Sequence, residues 1–574
     1  MNKILKQITV CVAVAATSLS FQGCLEEVTP MNLATSEQVA VSPSAQEALL
    51  KGLSAMMVKT GVFGDYSNYD NAYPSQMITR DVLCDFMPVY DSYYDYYMGL
   101  ATGNSLRSPF NYTYYFYYNL VSNANSIIRS LDVDGVTEET KESAGIAYAF
   151  RALAYLDMAR MFEYKETGFS ELDSKASQVW GLTVPIVTEK TTAEQGKNNP
   201  RAPFYTMYRF ILHDLNKAEE YLKNYQSTEI AMPDVDVVRG FMARFWLELG
   251  TRFSTVPEDL ATQLAHEGDD DGYDDLGITT AKDCFANAAE KAKEVIDYSG
   301  CVPMSKSQWY NPTTGFNKAN SAWVWGGSLS KKEQLGDYYY SWMGTMSSES
   351  DAFSMGAQCR TFRMISARLF NNIPDGDWRK KTWVAPEDAG ANAVPEGYST
   401  LLSDSEWKKL PAYANLKYHP NEGEMVDYYI GCLCDIPFMR IEEMYFIYFE
   451  ALAHTQGAAV ASQQLTNFMN TYRYSDGSFN LNTSDVQELT DAIFINKSIE
   501  LWGEGLMFFD YKRLKKAVVR TYPGTNYLER MRLNSYDNYV APWMNAFISE
   551  YEQGTNPAVV LNPDATGLVK PISE

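Results

Sequence analysis

Residues 281–300, AKDCFANAAEKAKEVIDYSG, carry the clearest structural pattern in the chain. Apolar side chains recur there at intervals of three and four residues, which is the repeat of one face of an α-helix. Ser299-Gly300 follows as a helix stop. The stretch therefore predicts an amphipathic helix that packs one face against a neighbour. That apolar face consists of Ala281, Phe285, Ala288, Ala292 and Val295.

The same helical periodicity extends outward from this stretch in both directions. Successive helix pairs rich in Ala and Tyr are typical of stacked hairpins of the tetratricopeptide kind. We therefore predict a mainly α fold, with Tyr114, Tyr115, Tyr117 and Tyr118 at the start of the first repeat helix and half of them in the core. The further helices are predicted at about 138–163, 208–222, 241–249, 441–452, 460–472 and 489–514, within a scaffold over about 43–60, 113–298 and 437–520.

Two regions lack helical periodicity, residues 61–112 and residues 300–436. The first is rich in Tyr, Asp and Asn, and the second holds seven of the 11 tryptophans among short strand-like runs. Trp323 and Trp325 share one face of such a run, and we expect both to be packed. Irregular segments of this length inside a compact protein are usually functional. We therefore predict a large loop-rich lobe with short strands.

The N-terminus has the parts of a secretory signal. Lys3 and Lys6 precede an apolar run of about a dozen residues, too short for a membrane span of about 20. A small residue then precedes Cys24, as at the cut site of a bacterial lipoprotein signal. We predict a signal peptide at 1–23, a lipid (palmitate) anchor on Cys24, a tether at 24–42 and a single domain at 43–574. An ordinary signal peptide with Cys24 as a free thiol is the alternative, because Phe21 and Gln22 depart from the lipoprotein consensus.

The chain is strongly acidic, with 48 Lys and Arg against 72 Asp and Glu, a net charge of −24. Loss of Lys3 and Lys6 with the signal would make it −26, because the signal contains no acid. Such a surface repels phosphate backbones, which argues against a nucleic-acid partner. Aromatic residues make up 14% of the chain, and 41 of them are tyrosines. This composition indicates an exposed surface that stacks against a ligand.

No cofactor or metal site is predicted. The acidic run 266–275 fails the EF-hand pattern, because with Gly272 at position six Ile278 stands where a bidentate Glu is required. An irregular calcium site and a solvated acidic loop remain the two interpretations of that run. Cys432 and Cys434 have no further ligands at zinc spacing. The four histidines are dispersed, and no nucleophile-elbow, Walker or dinucleotide motif is present.

Five motifs in order resemble the SusD/RagB family of outer-membrane nutrient-binding lipoproteins, and the resemblance runs nearly to the end of the chain. An arginine that usually follows the fifth motif is absent, with Leu506 and Met507 in that place. The motifs are Phe150–Tyr155 with Met161-Phe162, Gly181–Ile186, Tyr208–Leu222, Pro437–Tyr445 ending in Glu450-Ala451, and Glu500–Gly505 with Asp510 and Lys512-Arg513.

The resemblance implies a function in binding and not in catalysis. Family members hold a ligand, usually an oligosaccharide, and act as a lid on a TonB-dependent outer-membrane transporter of the SusC kind. The acidic pair Glu26-Glu27 resembles the signal for the outer face of the outer membrane, so we expect a lipid-anchored, surface-exposed protein. The charged motif residues are expected to pair at helix contacts. These are Arg151, Arg440, Glu450, Glu500 and Glu504.

The resemblance also places the ligand site in the irregular lobe, at 61–112 and 300–436. Aromatic faces there would stack on sugar rings, while Asp, Asn and Arg would bind hydroxyls. Residues 356–359 lack the stacking tryptophan of the starch-binding relative, which argues against starch. A peptide-binding relative, a lipid-anchored glycoside hydrolase and a pure helical scaffold are the alternatives. The candidate ligand residues are Asp91, Tyr93, Tyr94, Tyr97, Asn104, Arg107, Trp309, Tyr339 and Trp342.

Overall fold

Helices dominate the computed structural model, which describes residues 43–61, 69–90, 95–131, 135–336 and 341–572. The mainly α fold is as predicted. The first helices are α1 (Pro43–Met56), α2 (Ala72–Leu83), α3 (Met98–Ala101), α4 (Arg107–Leu131), α5 (Lys141–Phe162), α6 (Ser170–Lys175), α7 (Ala193–Gly196), α8 (Phe204–Leu222), α9 (Val235–Thr255), α10 (Pro257–Ala265) and α11 (Ala281–Tyr298).

The remaining elements lie in and after the long insertion. They are α12 (Lys306–Trp309), β1 (Trp323–Ser328), α13 (Trp342–Met346), α14 (Met355–Cys359), α15 (Ala367–Asn371), α16 (Asp404–Trp407), α17 (Tyr428–Gly431), β2 (Asp435–Arg440), α18 (Ile441–Thr455), α19 (Ala458–Tyr472), α20 (Val486–Glu500), α21 (Met507–Arg513) and α22 (Glu550–Thr555). Short 3₁₀ turns cover Lys332–Gln334, Trp378–Thr382, Asn421–Gly423, Glu529–Met531 and Pro542–Met544.

Helix α11 forms over the stretch that predicted it. Thr280 caps its N-terminus by accepting a hydrogen bond from the Asp283 backbone N–H, and the Asp283 carboxylate reaches back to Thr280. This reciprocal capping box satisfies two amide groups that a helix start leaves free. Gly300, with φ +71°, follows the helix end in the left-handed region. The face buried in the structure contains Phe285, with Ala288, Ala292 and Val295 as predicted.

The scaffold helices pack in a continuous series of neighbours. Helix α4 packs on α5, α5 on α8, α8 on α9, α9 on α11, and α11 on α18, which also contacts α19 and α20. Helix α5 is buried on almost every side because it lies between α4 and α8. The stacked helical hairpins expected from periodicity are therefore present.

The four tyrosines predicted at the start of the first repeat helix lie in α4 and divide between core and surface as predicted. Tyr114 and Tyr117 are buried, Tyr118 is half-buried, and Tyr115 remains exposed. Tyr117 donates a hydrogen bond to Asp157 of α5 at 2.7 Å. The buried tyrosines thus fix the first helix pair of the scaffold.

The lobe is a long insertion between two helices that pack against each other. Residues 299–440 separate α11 from α18, although the two helices are neighbours. Strand β1 lies near the start of this excursion and pairs antiparallel with β2 at its end, from Trp323 opposite Arg440 to Ser328 opposite Asp435. The two-stranded sheet therefore closes the base of the lobe and attaches it to the scaffold.

Trp325 of β1 anchors this sheet in the aromatic core. Its ring lies 5.0 Å from Phe438 of β2, 5.4 Å from Phe241 of α9 and 6.1 Å from Phe150 of α5. Edge-to-face pairs of this kind stabilise by about 1 kcal/mol each beyond area burial. Trp323 is also buried. Both tryptophans are packed, as predicted from their shared strand face.

Two elements differ from the sequence-based expectation. Residues 72–83, placed in an irregular segment, form helix α2, and every residue of it is buried. Its pattern is not amphipathic because polar residues such as Arg80 and Asp81 have buried partners. The helix predicted at 489–514 is interrupted after Glu500, where Gly503 and Gly505 adopt positive φ. These residues belong to the last family-like motif, which thus forms a tight turn between α20 and α21.

Arg151 and Glu450 pair at helix contacts, as predicted, whereas Arg440 lies at the end of strand β2 and Glu504 in the turn after α20. Arg151 of α5 donates to Asp214 of α8 at 2.7 and 2.8 Å and also contacts Glu189. Arg513 of α21 makes a bidentate pair with Glu450 of α18. Because a guanidinium and a carboxylate form two parallel hydrogen bonds, each bidentate pair fixes both the distance and the orientation between its two helices.

A buried ion cluster joins the lobe to the scaffold. Arg440, at the end of β2, donates to Glu500 at 3.0 Å and to Glu504 at 3.0 Å. All its members are buried, so each charge depends on the others for compensation. The cluster contains four cations, Arg379, Lys417, Arg440 and Arg473, and four carboxylates, Asp377, Glu442, Glu500 and Glu504.

The pKa values in the cluster reflect this compensation. Burial alone would raise the pKa of Glu500, but Arg473 and Arg440 outweigh burial and hold that pKa well below its ordinary value. Burial lowers the pKa of Lys417 to about 8. Glu500 therefore stays ionised at neutral pH and keeps its arginine partners in place.

Asp81 of α2, beside this cluster, predicts a pH dependence of stability. Burial raises the pKa of Asp81 from 3.8 to about 8. Between these values the folded protein binds one proton more than the unfolded chain, so the free energy of unfolding falls as pH rises, by about 1.4 kcal/mol per pH unit. We expect Asp81→Asn, which keeps the acceptor for the Gly505 N–H, to remove this slope.

Urea denaturation of both proteins at several values between about pH 5 and pH 7 measures the difference. The variant is expected to gain stability relative to the parent as pH rises, by about 3 kcal/mol over this range. Parallel stability profiles of the two proteins would contradict the assignment of the proton to Asp81.

The N-terminal predictions lie outside the described residues. These are the signal peptide at 1–23, the lipid anchor on Cys24, the Glu26-Glu27 pair and the tether at 24–42. Among the residues that the structure describes, no helix combines the length and apolarity needed to cross a membrane.

Candidate functional site

Four of the nine candidate ligand residues lie outside the described part of the chain. These are Asp91, Tyr93, Tyr94 and Tyr339. Their ligand contacts stay predictions. The two lobe segments that carry them do meet in the structure, because Asp95 forms a bidentate pair with Arg363 at 2.7 and 3.1 Å.

Three candidate aromatics are core residues, which corrects their expected role as ligand platforms. Tyr97 and Trp309 are 1% exposed and Trp342 is 0% exposed. Tyr97 packs on Tyr69 at 5.4 Å, and burial raises its pKa. Trp342 packs edge-to-face on Tyr418 at 5.3 Å. With no accessible ring face, these side chains cannot stack on a ligand in this structure.

Trp309 has a structural role within the buried ion cluster. Its Nε1 donates to Thr382 at 2.9 Å, while Lys417 and Arg440 lie 5.2 and 5.6 Å from its ring. A buried indole face attracts such cations by about 2 kcal/mol. The sequence could not distinguish this tryptophan from an exposed one, because its cationic partners are distant in the chain.

Asn104 and Arg107 belong to a different surface, near the C-terminal segment. Arg107 donates to Asp564 at 2.7 Å and to Glu550 at 2.8 Å. Asn104 is exposed. Arg107 therefore ties the start of α4 to the C-terminal segment.

The lobe contains an open groove of about 360 Å³ beside the base of the β1–β2 sheet. We call it the lobe groove. Its volume is within the range of small-molecule sites. Its principal lining residues are Asn317, Lys318, Ser330, Asn421, Tyr429 and Asp435.

Tyr429 of α17 supplies an aromatic wall. Its side chain is 38% exposed, and its ring packs on that of Tyr428 at 4.1 Å. Lys332 places its ammonium 4.6 Å from the Tyr429 ring centre. Ile430 and Val426 are exposed nearby in sequence, so this rim of the lobe presents an apolar surface.

Asn317 supplies a buried polar group at the groove. Its Nδ2 donates to the backbone carbonyls of His419 and Pro420, both at 3.0 Å. Its Oδ1 has no hydrogen-bond partner among the described residues, although the side chain is buried. An unpaired buried acceptor costs about 1–3 kcal/mol, so a ligand donor here would gain that energy.

The loop behind Asn317 is fixed by a buried pair. His419 Nδ1 lies 2.7 Å from Glu349 Oε2, and both side chains are fully buried. Glu349 also accepts a hydrogen bond from the Leu401 backbone N–H at 3.0 Å. The His419 carbonyl that holds Asn317 is thus part of a rigid network.

The backbone of the groove is strained at Glu422. This residue has φ +57°, a left-handed conformation that is uncommon for a non-glycine residue. Next to it, Glu424 accepts hydrogen bonds from the Val426 and Asp427 backbone N–H groups, and these bonds lower the pKa of Glu424. The turn before Tyr429 is therefore held in a defined shape, as strained turns at binding sites often are.

The groove combines an aromatic wall with hydrogen-bond donors and acceptors. Tyr429 offers an apolar ring, Asn317 an acceptor, and Lys318 an exposed cation. A ligand suited to it has apolar C–H faces and hydroxyl edges in the same small unit. A sugar ring has this alternation.

The groove lies in the lobe where sequence reasoning expected a ligand site, but its lining residues were not among the candidates. The available signal was Val426-Asp427-Tyr428-Tyr429-Ile430, an apolar and aromatic run just before Gly431. Runs of that kind are normally core. Its exposure depends on the turn at Glu422 and Glu424, which composition does not reveal.

The acidic run 266–275 surrounds an arginine. The side chain of Arg209 in α8 is fully buried, and Asp271, Asp269 and Asp275 approach it, Asp269 at 3.5 Å and Asp275 at 3.9 Å. Within the described residues, no group of three or more His, Cys, Asp or Glu has the geometry for a metal ion. Compensation of Arg209 accounts for the positions of these carboxylates.

Most of the cysteines in the described residues are buried. Cys84, Cys284, Cys432 and Cys434 are buried, as expected for small hydrophobic side chains. Burial raises the pKa of the Cys434 thiol well above its ordinary value. This thiol is therefore protonated and unreactive at neutral pH.

Two family profiles match the chain. Residues 37–247 match a SusD-like family described as starch-binding and associating with the outer membrane, and residues 413–564 match the SusD family. Most of the lobe, within residues 248–412, lies outside both ranges. The matched ranges thus cover the scaffold on both sides of the insertion. A comparison with curated proteins found no match.

Solved structures share the fold over nearly the whole chain. A SusD-like carbohydrate-binding protein from Bacteroides vulgatus is 18% identical, with a TM-score of 0.64, covering 90% of this chain and 97% of its own. A SusD superfamily protein from Bacteroides thetaiotaomicron is 17% identical, with a TM-score of 0.62 and coverage of 91% and 100%. One from Parabacteroides distasonis is 15% identical, with a TM-score of 0.61 and coverage of 92% and 99%.

Proposed function

Because this chain belongs to the SusD/RagB family, we propose that it binds oligosaccharides at the cell surface for uptake. It is a binding protein and not an enzyme. The bound glycan passes to a TonB-dependent outer-membrane transporter of the SusC kind, on which this protein acts as a lid. A lipid on Cys24 holds it at the outer membrane, facing outward.

The single observation that carries this proposal is the lobe groove. Tyr429 presents a partly exposed ring beside the unpaired acceptor of Asn317, in a cavity of about 360 Å³. Stacking on the ring and hydrogen bonding to the amide act on different faces of one sugar unit. The groove is open, so a longer chain can extend beyond the unit bound there.

The insertion of the lobe into the scaffold supports the role in transfer. The buried ion cluster and the β1–β2 sheet attach the lobe rigidly to the helices. Movement of the ligand toward a transporter would therefore involve the whole molecule, turning about its N-terminal tether, and not the lobe alone.

We expect Tyr429→Ala to weaken oligosaccharide binding by at least about tenfold, since loss of one stacking ring costs about 1.4 kcal/mol. Screening the purified protein on a glycan array identifies a bound oligosaccharide, and isothermal titration calorimetry then measures its Kd with parent and variant. The thermal midpoint should be nearly unchanged, because the Tyr429 ring lies at the surface.

Tyr551→Ala is the matched control, because Tyr551 is 75% exposed on α22 and does not line the groove. Its Kd should equal that of the parent. An equal affinity in Tyr429→Ala would remove the groove from the proposal. Binding of peptides with no oligosaccharide bound would refute the carbohydrate function itself.

A further inference from the structure

A second pocket lies in the helical scaffold, away from the lobe. It has a volume of about 260 Å³ and lies between the end of α5, the middle of α9 and the helix α21. We call it the scaffold pocket. None of its lining residues comes from residues 61–112 or 300–436. Its lining includes Glu163, Lys165, Trp180, Glu248, Arg252 and Lys512.

Trp180 provides an accessible indole at this pocket. It is 44% exposed and packs edge-to-face on Tyr164 at 5.1 Å. All eleven tryptophans lie in the described residues, and only Trp180 is exposed. A surface tryptophan that lines a concave pocket gives an apolar face for stacking.

Glu248 of α9 is a buried carboxylate, and the cations Arg160, Lys165 and Arg513 act on its charge from beyond ion-pair distance. It is 8% exposed, and no hydrogen bond or ion pair of 4 Å or less reaches it within the described part of the chain. Burial raises the pKa of Glu248. A buried acceptor with unused lone pairs, lining a cavity, is matched by a donor that enters from outside.

Donors with unused hydrogen-bonding capacity line the same pocket. Lys512 donates to the backbone carbonyls of Met161 at 2.7 Å and Glu163 at 2.9 Å, and burial lowers its pKa to about 7. Arg252 pairs with Glu163 and Asp259, while its Nε has no partner among described atoms. The pocket therefore offers both donors and acceptors.

This mixture selects a neutral, hydroxylated ligand. Four carboxylates and five cationic side chains line the pocket, so neither an anion nor a cation meets a large excess of the opposite charge. A hydroxyl group donates to one member of the set and accepts from another. A sugar ring adds the C–H face that Trp180 can stack against.

We propose that the scaffold pocket is a second carbohydrate site, which binds one neutral sugar unit between Trp180 and Glu248. It is separate from the lobe groove and does not depend on the function proposed for that groove. Two sites on one molecule would hold a branched or long glycan at two points, raising its avidity without a new contact in the groove.

Saturation-transfer NMR with neutral methyl hexopyranosides tests this site in the purified protein carrying Tyr429→Ala, in which binding at the lobe groove is weakened. We expect at least one neutral hexoside to bind. Adding Trp180→Ala or Glu248→Gln should each weaken that binding by about tenfold. Tyr298→Ala, which removes a 72% exposed tyrosine elsewhere, should leave it unchanged.

Three results would overturn the proposal. These are no binding of any neutral hexoside, unchanged binding in both pocket variants, and tighter binding of glucuronate or glucosamine than of the neutral sugars. Thermal unfolding of Glu248→Gln shows whether that variant still folds. Trp180→Ala tests binding at the same pocket through an exposed residue. Loss of groove binding with the scaffold pocket intact would refute only the proposed function of the groove.

Discussion

Arg440→Met is expected to lower the free energy of unfolding by about 4 kcal/mol or more. The methionine fills much of the arginine volume but leaves Glu500 and Glu504 without the guanidinium that both accept from. Both carboxylates are buried, so water cannot replace the lost partner. The cluster then carries one excess negative charge. Urea denaturation followed by circular dichroism measures the change.

Arg239→Met is the matched control. Arg239 also pairs with carboxylates, at 3.2 Å from both Glu219 and Glu294, but its side chain is partly exposed. Exposed pairs of this kind contribute less than about 1 kcal/mol. The same small loss in both variants would show that the buried ion cluster does not hold the lobe to the scaffold.

Gly505→Ala is expected to lower the free energy of unfolding by about 3 kcal/mol. Gly505 has φ +71°, which costs an alanine about 1 kcal/mol. A Cβ there would also lie 2.4 Å from Cα of Met77 in the buried helix α2. Because that atom is backbone, no rotamer change relieves the clash, and overpacking adds about 2 kcal/mol. Urea denaturation gives the difference.

Gly477→Ala separates the two contributions. Gly477 has nearly the same φ, +68°, but its added Cβ would meet nothing within 4 Å. We expect it to lose only the conformational part, about 1 kcal/mol. Equal losses in the two variants would show that the close approach of the turn to α2 does not add to the loss in free energy of unfolding.

The scaffold was predictable from sequence because its information is local. The stripe of α11 repeats within 18 residues, and its capping residues are adjacent to it. Helix α2 was not predictable in this way. Arg80 pairs with Asp157, and Asp81 accepts a hydrogen bond from the Gly505 N–H, so its buried polar residues depend on partners far along the chain. Hydrophobic periodicity therefore does not predict such a helix.

The site was predictable only to the level of the lobe. Trp309 and Trp342 have the composition of ligand platforms, but long-range packing buries both. Tyr429 lies in a run that resembles core, and the turn around Glu422 exposes it. Exposure is a property of the complete fold, so aromatic content alone could not show which rings of the lobe are accessible.

Glycan binding in the lobe groove is tested most directly by a crystal structure of the protein with the oligosaccharide that it binds most tightly. We predict a sugar ring against Tyr429, with a hydroxyl donating to Asn317 Oδ1. An oligosaccharide bound elsewhere on the protein, with the lobe groove empty, would contradict the account.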